Sequence, residues 1–185
     1  MIRKQDLQDG KIISIDNFFD SIQATEMWYH ANKCEYKYGQ SSDSRSSLIQ
    51  RRMVHHFDPE LFTNLDLWKQ IKSILDSPIE LVEAYLNYSE SSTLTLPHCD
   101  NTDGGMSVLI CVNQEWNRSW GGYTAFFKDM TSNKIIETIC PEPRKAVFFT
   151  GATWHYALPI VNFSPYARFM LAIKTTYVKK EKEQI

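Results

Sequence analysis

Pro97-His98-Cys99-Asp100 stands at the end of an apolar segment. In an extended chain, residues i and i+2 project from the same face. His98 and Asp100 can therefore converge on one point while Cys99 turns away. A further histidine, His155, opens a later apolar segment. Two imidazoles and one carboxylate suit a non-haem Fe(II) centre that keeps positions open for a cosubstrate and oxygen. A lone His-x-Asp also occurs as a hydrogen-bonded surface pair, and the spacing by itself leaves that alternative standing.

Arg168 falls inside the apolar run Ala167-Arg168-Phe169-Met170-Leu171-Ala172-Ile173. An arginine in such a strand is costly unless it meets an anion. Its planar fork suits a carboxylate held at two points. An internal ion pair with Asp or Glu, or an outward-facing side chain, are the alternatives. Taken together, a His-x-Asp, a later His and an Arg on the last long strand could hold Fe(II) and a dicarboxylate 2-oxo acid. The oxo acid would chelate the metal at one end and meet Arg168 at the other.

At these residues the chain resembles the 2-oxoglutarate- and Fe(II)-dependent dioxygenases, in their prolyl-4-hydroxylase-like branch. The resemblance runs roughly over residues 81–178. Val112-Asn113-Gln114-Glu115-Trp116 is similar to the family's strand-end "LN..W", Trp120-Gly121-Gly122-Tyr123 to its "GG-x-L", and Pro141 to Phe149 to its "P…LLFF" strand. The resemblance implies a jelly roll, that is, a double-stranded β-helix, with the metal at its open end. His98, Asp100 and His155 would be the catalytic metal ligands. Arg168 would bind the distal carboxylate of 2-oxoglutarate, with Tyr88 reaching the cosubstrate and Asn87 a further contact.

The implied cofactors are Fe(II), 2-oxoglutarate as cosubstrate and O2, with ascorbate as an accessory reductant. The implied reaction hydroxylates an unactivated C–H bond. Relatives that halogenate lack the metal carboxylate, and Asp100 is present. The implied substrate is a prolyl or other amino-acid side chain in a peptide or protein, then a free amino acid or other small molecule, with nucleic acid a distant third. The pattern also departs from the family. A second cosubstrate tyrosine is read as replaced by Ile110, a common hydroxyl after the arginine by Met170, and a glycine by Arg144 or Lys145. The alternative function is a metal-binding cupin-like protein, or a jelly-roll binding protein without turnover.

These residues need elements to hold them. Residues 11–15 read as a short strand. Asp16 or Asn17 is expected to cap a helix from Phe18 to about Lys33. Asp58-Pro59 opens a second helix, with Leu61, Leu65, Trp68, Ile71 and Leu75 on its buried face. From Ile79 onward, short apolar segments alternate with turn residues: 79–88, 92–96, 106–113, 122–127, 134–139, 145–150, 155–161 and 168–178. Strands at this spacing make a sandwich or barrel. The expected fold is mainly β with N-terminal helices. It forms a single domain of 1–185, with a helical elaboration at 1–78, a jelly-roll core at 79–178 and a tail at 179–185.

The chain's 185 residues, 43% hydrophobic and 23% charged, describe a globular domain with enough core to fold without staples. An aromatic share of 13% leans towards β structure or a lined pocket. A net charge of −2 gives no global attraction to nucleic acid or to an anionic membrane. No apolar run reaches membrane-spanning length, and the first residues lack a signal core. Cys34, Cys99, Cys111 and Cys140 form no CxxC, and a reducing, cytoplasmic setting is expected.

Other residues admit two readings. His55-His56 could be ligands, but a surface or substrate-facing pair is the plainer reading. Trp116, Trp120 and Trp154 could line a pocket or pack the core. Cys99 and Cys111 read as small core residues. Ser41 to Ser47 with Arg45, and nearby Arg51 and Arg52, could form a lid or an ordinary solvated loop.

Overall fold

The structure is a computed structural model that describes residues 3–8, 11–38, 53–75, 77–91, 93, 95–100, 104–129, 131–132, 134–161 and 163–178. The chain starts with a hairpin, β1 (Arg3–Leu7) and β2 (Ile12–Asp16), and then helix α1 (Ser21–Lys33). Two short strands follow, β3 (Lys37–Tyr38) and β4 (Met53–His56), and then helices α2 (Pro59–Thr63) and α3 (Asp66–Ile74). The remaining strands are β5 (Ile79–Ser89), β6 (Met106–Cys111), β7 (Thr124–Phe127), β8 (Ile135–Ile139), β9 (Ala146–Thr150), β10 (Trp154–Ala157) and β11 (Arg168–Tyr177).

The strands form two antiparallel sheets. The larger is eight-stranded, in the order β1-β2-β9-β6-β11-β5-β4-β3, and the smaller is β10-β7-β8. The sheets face each other in a jelly roll. Ile12, Val147 and Phe149 of the large sheet meet Phe126 and Ile139 of the small one. The outer face of the large sheet, with Leu86, Val108, Phe148 and Leu171, packs against Phe62, Trp68 and Ile71 of the helices. Both faces of its central strands are covered, which is why they read as nearly continuous apolar runs. Among the described residues, no helix is long and apolar enough to cross a membrane.

The N-terminal region contains the strand expected at 11–15, as β2, and three further strands besides its helices. β1 and β2 come before any helix, and β2 pairs with β9. β3 and β4 extend the opposite edge through β5. Asp20, rather than Asp16 or Asn17, caps α1, in a reciprocal capping box with Gln23. Phe18 and Phe19 precede the helix and are buried in the outer core.

Asp58 caps α2 as expected, with its carboxylate accepting from the Leu61 N–H at 3.0 Å. The helix then breaks at Asn64 and Leu65, and α3 starts in a new phase. Leu61 and Leu65 are consequently exposed, while Phe62, Leu67, Trp68 and Ile71 are buried. No strand forms over 92–96 among the described residues. Ser41 to Ser47, Arg45, Arg51, Arg52 and the tail at 179–185 lie outside the described residues.

Candidate active site

His98 and His155 are brought together by backbone pairing. Each donates its N–H to the other's carbonyl, at 3.0 and 2.9 Å, and the Asp100 N–H bonds Gly151 O at 2.9 Å. In both histidines Nδ1 meets a backbone carbonyl two residues upstream, Leu96 O at 2.9 Å and Thr153 O at 2.9 Å. With Nδ1–H donating there, each ring presents Nε2 as the lone-pair nitrogen. His98 Nε2 lies 3.7 Å from Asp100 Oδ1, and His155 Nε2 lies 3.6 Å from Oδ2. The three ligand atoms all fall within 4.8 Å of one another, close enough to share one ion.

Asp100 is held from behind. The Ser107 hydroxyl donates to Oδ2 at 2.7 Å, and Lys174 Nζ lies 3.4 Å from Oδ1 and 2.7 Å from Glu83 Oε1. Burial alone would raise the Asp100 pKa. His155, Lys174, His98 and the Ser107 hydroxyl outweigh it, and the carboxyl sits below its usual range. Asp100 is therefore ionised and positioned as a metal ligand must be.

The second half of the cavity is built around Arg168. On β11, Arg168, Met170, Ala172 and Lys174 face the cavity, while Phe169, Leu171 and Ile173 belong to the outer core. Asn113 fixes the start of this strand. Its side chain donates to Ala167 O at 2.8 Å and accepts from Phe169 N–H at 2.8 Å, bracketing Arg168. Gly122 has a φ of +69°, and a Cβ there would come within 3.2 Å of the Arg168 stem. The paired glycines thus let the loop close over the arginine. Trp116 secures that loop through Nε1–H to Gly121 O at 3.1 Å.

Arg168 is buried, and Nη2 donates to the Thr124 hydroxyl at 3.0 Å. No carboxylate among the described residues pairs with it, its Nε has no hydrogen-bond partner, and nearby Asn87 Oδ1 is likewise unpartnered. Burial pushes the guanidinium down to about 10. Buried polar atoms are normally satisfied, so a polar ligand in this cavity would meet an open donor and an open acceptor.

One cavity thus contains His98, Asp100, His155, Arg168 and Asn87. Tyr88 is not among its lining residues. Adjacent strand residues point to opposite faces, and Asn87 takes the inner one. The Tyr88 ring packs 5.3 Å from Phe169 in the outer core, and its hydroxyl donates to Glu90. Ile110 is also in that core; the β6 residue beside Arg168 is Cys111, whose thiol donates to Pro141 O at 2.9 Å.

Sequence reasoning missed Lys174, Ser107, Tyr85 and Thr124, all of which line the cavity. Period-two alternation carried two residues past Ala172 would have found Lys174. Trp116 and Trp120 pack with Cys140 and Ile160 outside the cavity. His56 lies beside Tyr85, with ring centroids 5.4 Å apart, and His55 faces the helices.

The two antiparallel sheets form a jelly roll like that of solved 2-oxoglutarate–Fe(II) oxygenases. The chain is similar in fold to a prolyl-4-hydroxylase of Pseudomonas putida, with a TM-score of 0.68 at 14% identity over 91% of this chain and 93% of that one. A Trichoplax adhaerens prolyl hydroxylase, solved with a hypoxia-inducible-factor peptide, gives 0.67 at 17% identity over 90% and 84%. HygX of Streptomyces hygroscopicus, solved with nickel, 2-oxoglutarate and hygromycin B, gives 0.66 at 10% over 90% and 83%. No protein-family model matches the sequence, and the comparison with curated proteins finds no relative.

Proposed function

We propose that the protein is an Fe(II)- and 2-oxoglutarate-dependent oxygenase that hydroxylates an unactivated C–H bond. The observation that carries this reading is the shared cavity. A three-donor metal cluster opens onto a buried arginine with an unpartnered Nε and no acidic partner among the described residues. A cupin-like protein without an oxo acid has no use for that arginine. His98, Asp100 and His155 would hold Fe(II), a donor set matching the two-histidine, one-carboxylate facial arrangement. Bound iron would supply the redox chemistry by which O2 attacks the C–H bond, and 2-oxoglutarate would supply the electrons.

The chain's own residues do the rest. Ser107 and Lys174 keep Asp100 charged and aimed. Arg168, with Thr124 beside it, receives the distal carboxylate, and Leu109, Met170 and Ala172 are among the apolar residues that line the same cavity. The net reaction converts substrate C–H, 2-oxoglutarate and O2 into C–OH, succinate and CO2. We place an amino-acid side chain of a peptide first among substrates, in line with the peptide bound by one structural neighbour. A small molecule comes second, and ascorbate would serve as accessory reductant. A cytoplasmic setting belongs to the same proposal, supported by four cysteines that are all free thiols.

The test is anaerobic addition of 2-oxoglutarate to the Fe(II)-loaded protein, read by visible metal-to-ligand charge-transfer absorption. The band should develop in the parent and be lost in Asp100→Ala. Its absence from the parent would remove the oxo acid from the proposal. Succinate formation over a panel of prolyl peptides and free amino acids then sorts the substrate.

A further inference from the structure

A second cluster of ligand atoms lies on the far side of the large sheet. His30 lies in the last turn of α1, and Cys34, four residues on, is the C-cap whose N–H bonds His30 O. His55 approaches them from β4, where its register partner is Leu86 of the outer core. One ligand atom from each of the three lies within 4.8 Å of the others. We propose that His30, Cys34 and His55 form a metal site separate from the active site, taking Zn(II) in tetrahedral coordination with the fourth position left for an exchangeable ligand.

Three observations support a built site. First, His55 Nδ1 meets Glu35 O at 3.0 Å. With Nδ1–H donating there, Nε2 is the ligating nitrogen, the same backbone-carbonyl orientation that both active-site histidines use. Second, Cys34 is fixed rather than floppy. It terminates α1, its N–H bonding His30 O at 2.9 Å, and its side chain is half-buried. Third, the cluster has aromatic walls. Phe57 stacks on His30 with centroids 5.4 Å apart, and Tyr36 flanks His55 at 6.3 Å.

The donor types choose the metal. Two imidazoles and a thiolate suit Zn(II) and exclude Ca(II) and Mg(II), which require oxygen. The active-site cluster has a carboxylate in place of the thiolate, so the two sites sort different ions. Bound Zn(II) would staple α1 to β4, whose neighbouring Val54 packs against Tyr85 and Ala172 on the cavity side.

The probe is Co(II), titrated into the full chain carrying His98→Ala and Asp100→Ala to disable the active-site cluster. Thiolate-to-cobalt charge-transfer absorption reports sulfur ligation. We expect the band in that background and in the same background with Cys99→Ser, and its loss on Cys34→Ser. Zn(II) affinity, measured by competition with a chromophoric chelator, should fall with Cys34→Ser on the order of a hundredfold, the upper end for loss of a mere outer-shell partner. His55→Asn, which keeps a polar side chain at a half-buried position, should weaken Zn(II) comparably, and it decides the matter should Cys34→Ser fail to fold. A missing band in the disabled background, a band that survives Cys34→Ser, or unchanged Zn(II) affinity in His55→Asn would each overturn the site.

Discussion

Arg168 is the residue on which the oxo-acid reading turns. Its side chain is a buried cation that meets a neutral hydroxyl in the protein, so a ligand carboxylate is the partner its geometry lacks. Removing it should leave the metal cluster intact and strip the cosubstrate of a charge-assisted, two-point contact, about 2–5 kcal/mol. Arg168→Ala is expected to bind metal as the parent does and to need at least about thirtyfold more 2-oxoglutarate, each 1.4 kcal/mol being about tenfold. Arg168→Lys should recover part of that, because charge survives and the fork does not. Separate titrations of metal and 2-oxoglutarate on both variants are the measurement, and parent-like oxo-acid binding in Arg168→Ala would sink the assignment. The residue scale also explains why Asn87 and Tyr88 cannot serve together. They are neighbours on β5, and the pleat gives the cavity only one of them.

At the scale of elements, the site depends on how β6 and β11 are joined. Asn113 stands in for a strand partner to residues 167 and 169. Asn113→Ala leaves a buried N–H and a carbonyl unpaired, a cost of about 2–4 kcal/mol. We expect a lower denaturant midpoint together with weaker 2-oxoglutarate binding and unchanged metal affinity; intact stability would show the bracket to be dispensable. A second junction ties β2 to the turn before β9, where Lys145 Nζ lies 2.6 Å from Glu142 and 3.2 Å from Asp16. The Glu142 carboxyl is lowered, chiefly by its hydrogen bond to Lys145, against burial and with help from Arg118. A carboxyl lowered in the folded state contributes stability above its unfolded pKa and loses it as pH falls through the folded one. Glu142→Gln should therefore cost about 1 kcal/mol at neutral pH, with the deficit shrinking below about pH 4.5; a pH-independent deficit would mean the ion pair is not its source. These junctions are long-range, and local pattern did not reveal them. The strands from β5 to β11 were legible because their alternation and turn residues are local, and the His98–Asp100 pair because i and i+2 share a face. The β1–β2 hairpin on β9, the edge pair β3–β4 and the break at Asn64 depend on packing between distant segments. Carrying one helical period across that break put Leu61 and Leu65 in the core, when both are exposed.

Over the whole molecule, the proposed function makes the cavity a place where stability is given up for binding. Two packed cores on either side of the large sheet bear the fold. On its inner face sits a guanidinium that burial has pushed down to about 10, with no acidic partner among the described residues. Replacing a buried charge with an apolar side chain of similar reach is often neutral or stabilising. Arg168→Met, without ligands, is therefore expected to melt no lower than the parent, even after losing its bond to Thr124. The order should reverse once ligand is present. A ligand at a hundredfold over its dissociation constant stabilises by about 2.7 kcal/mol, which for a chain of this size raises the melting temperature by roughly 5–10 °C. The parent should show one increment with metal and a second with 2-oxoglutarate; Arg168→Met should show the first alone. Thermal unfolding with Mn(II) in place of the oxidisable Fe(II), with and without 2-oxoglutarate, makes the comparison. If Arg168→Met melts well below the parent without ligand and the parent gains nothing from 2-oxoglutarate, the arginine is a structural part of the jelly roll and the cavity has lost its claim to an anionic cosubstrate.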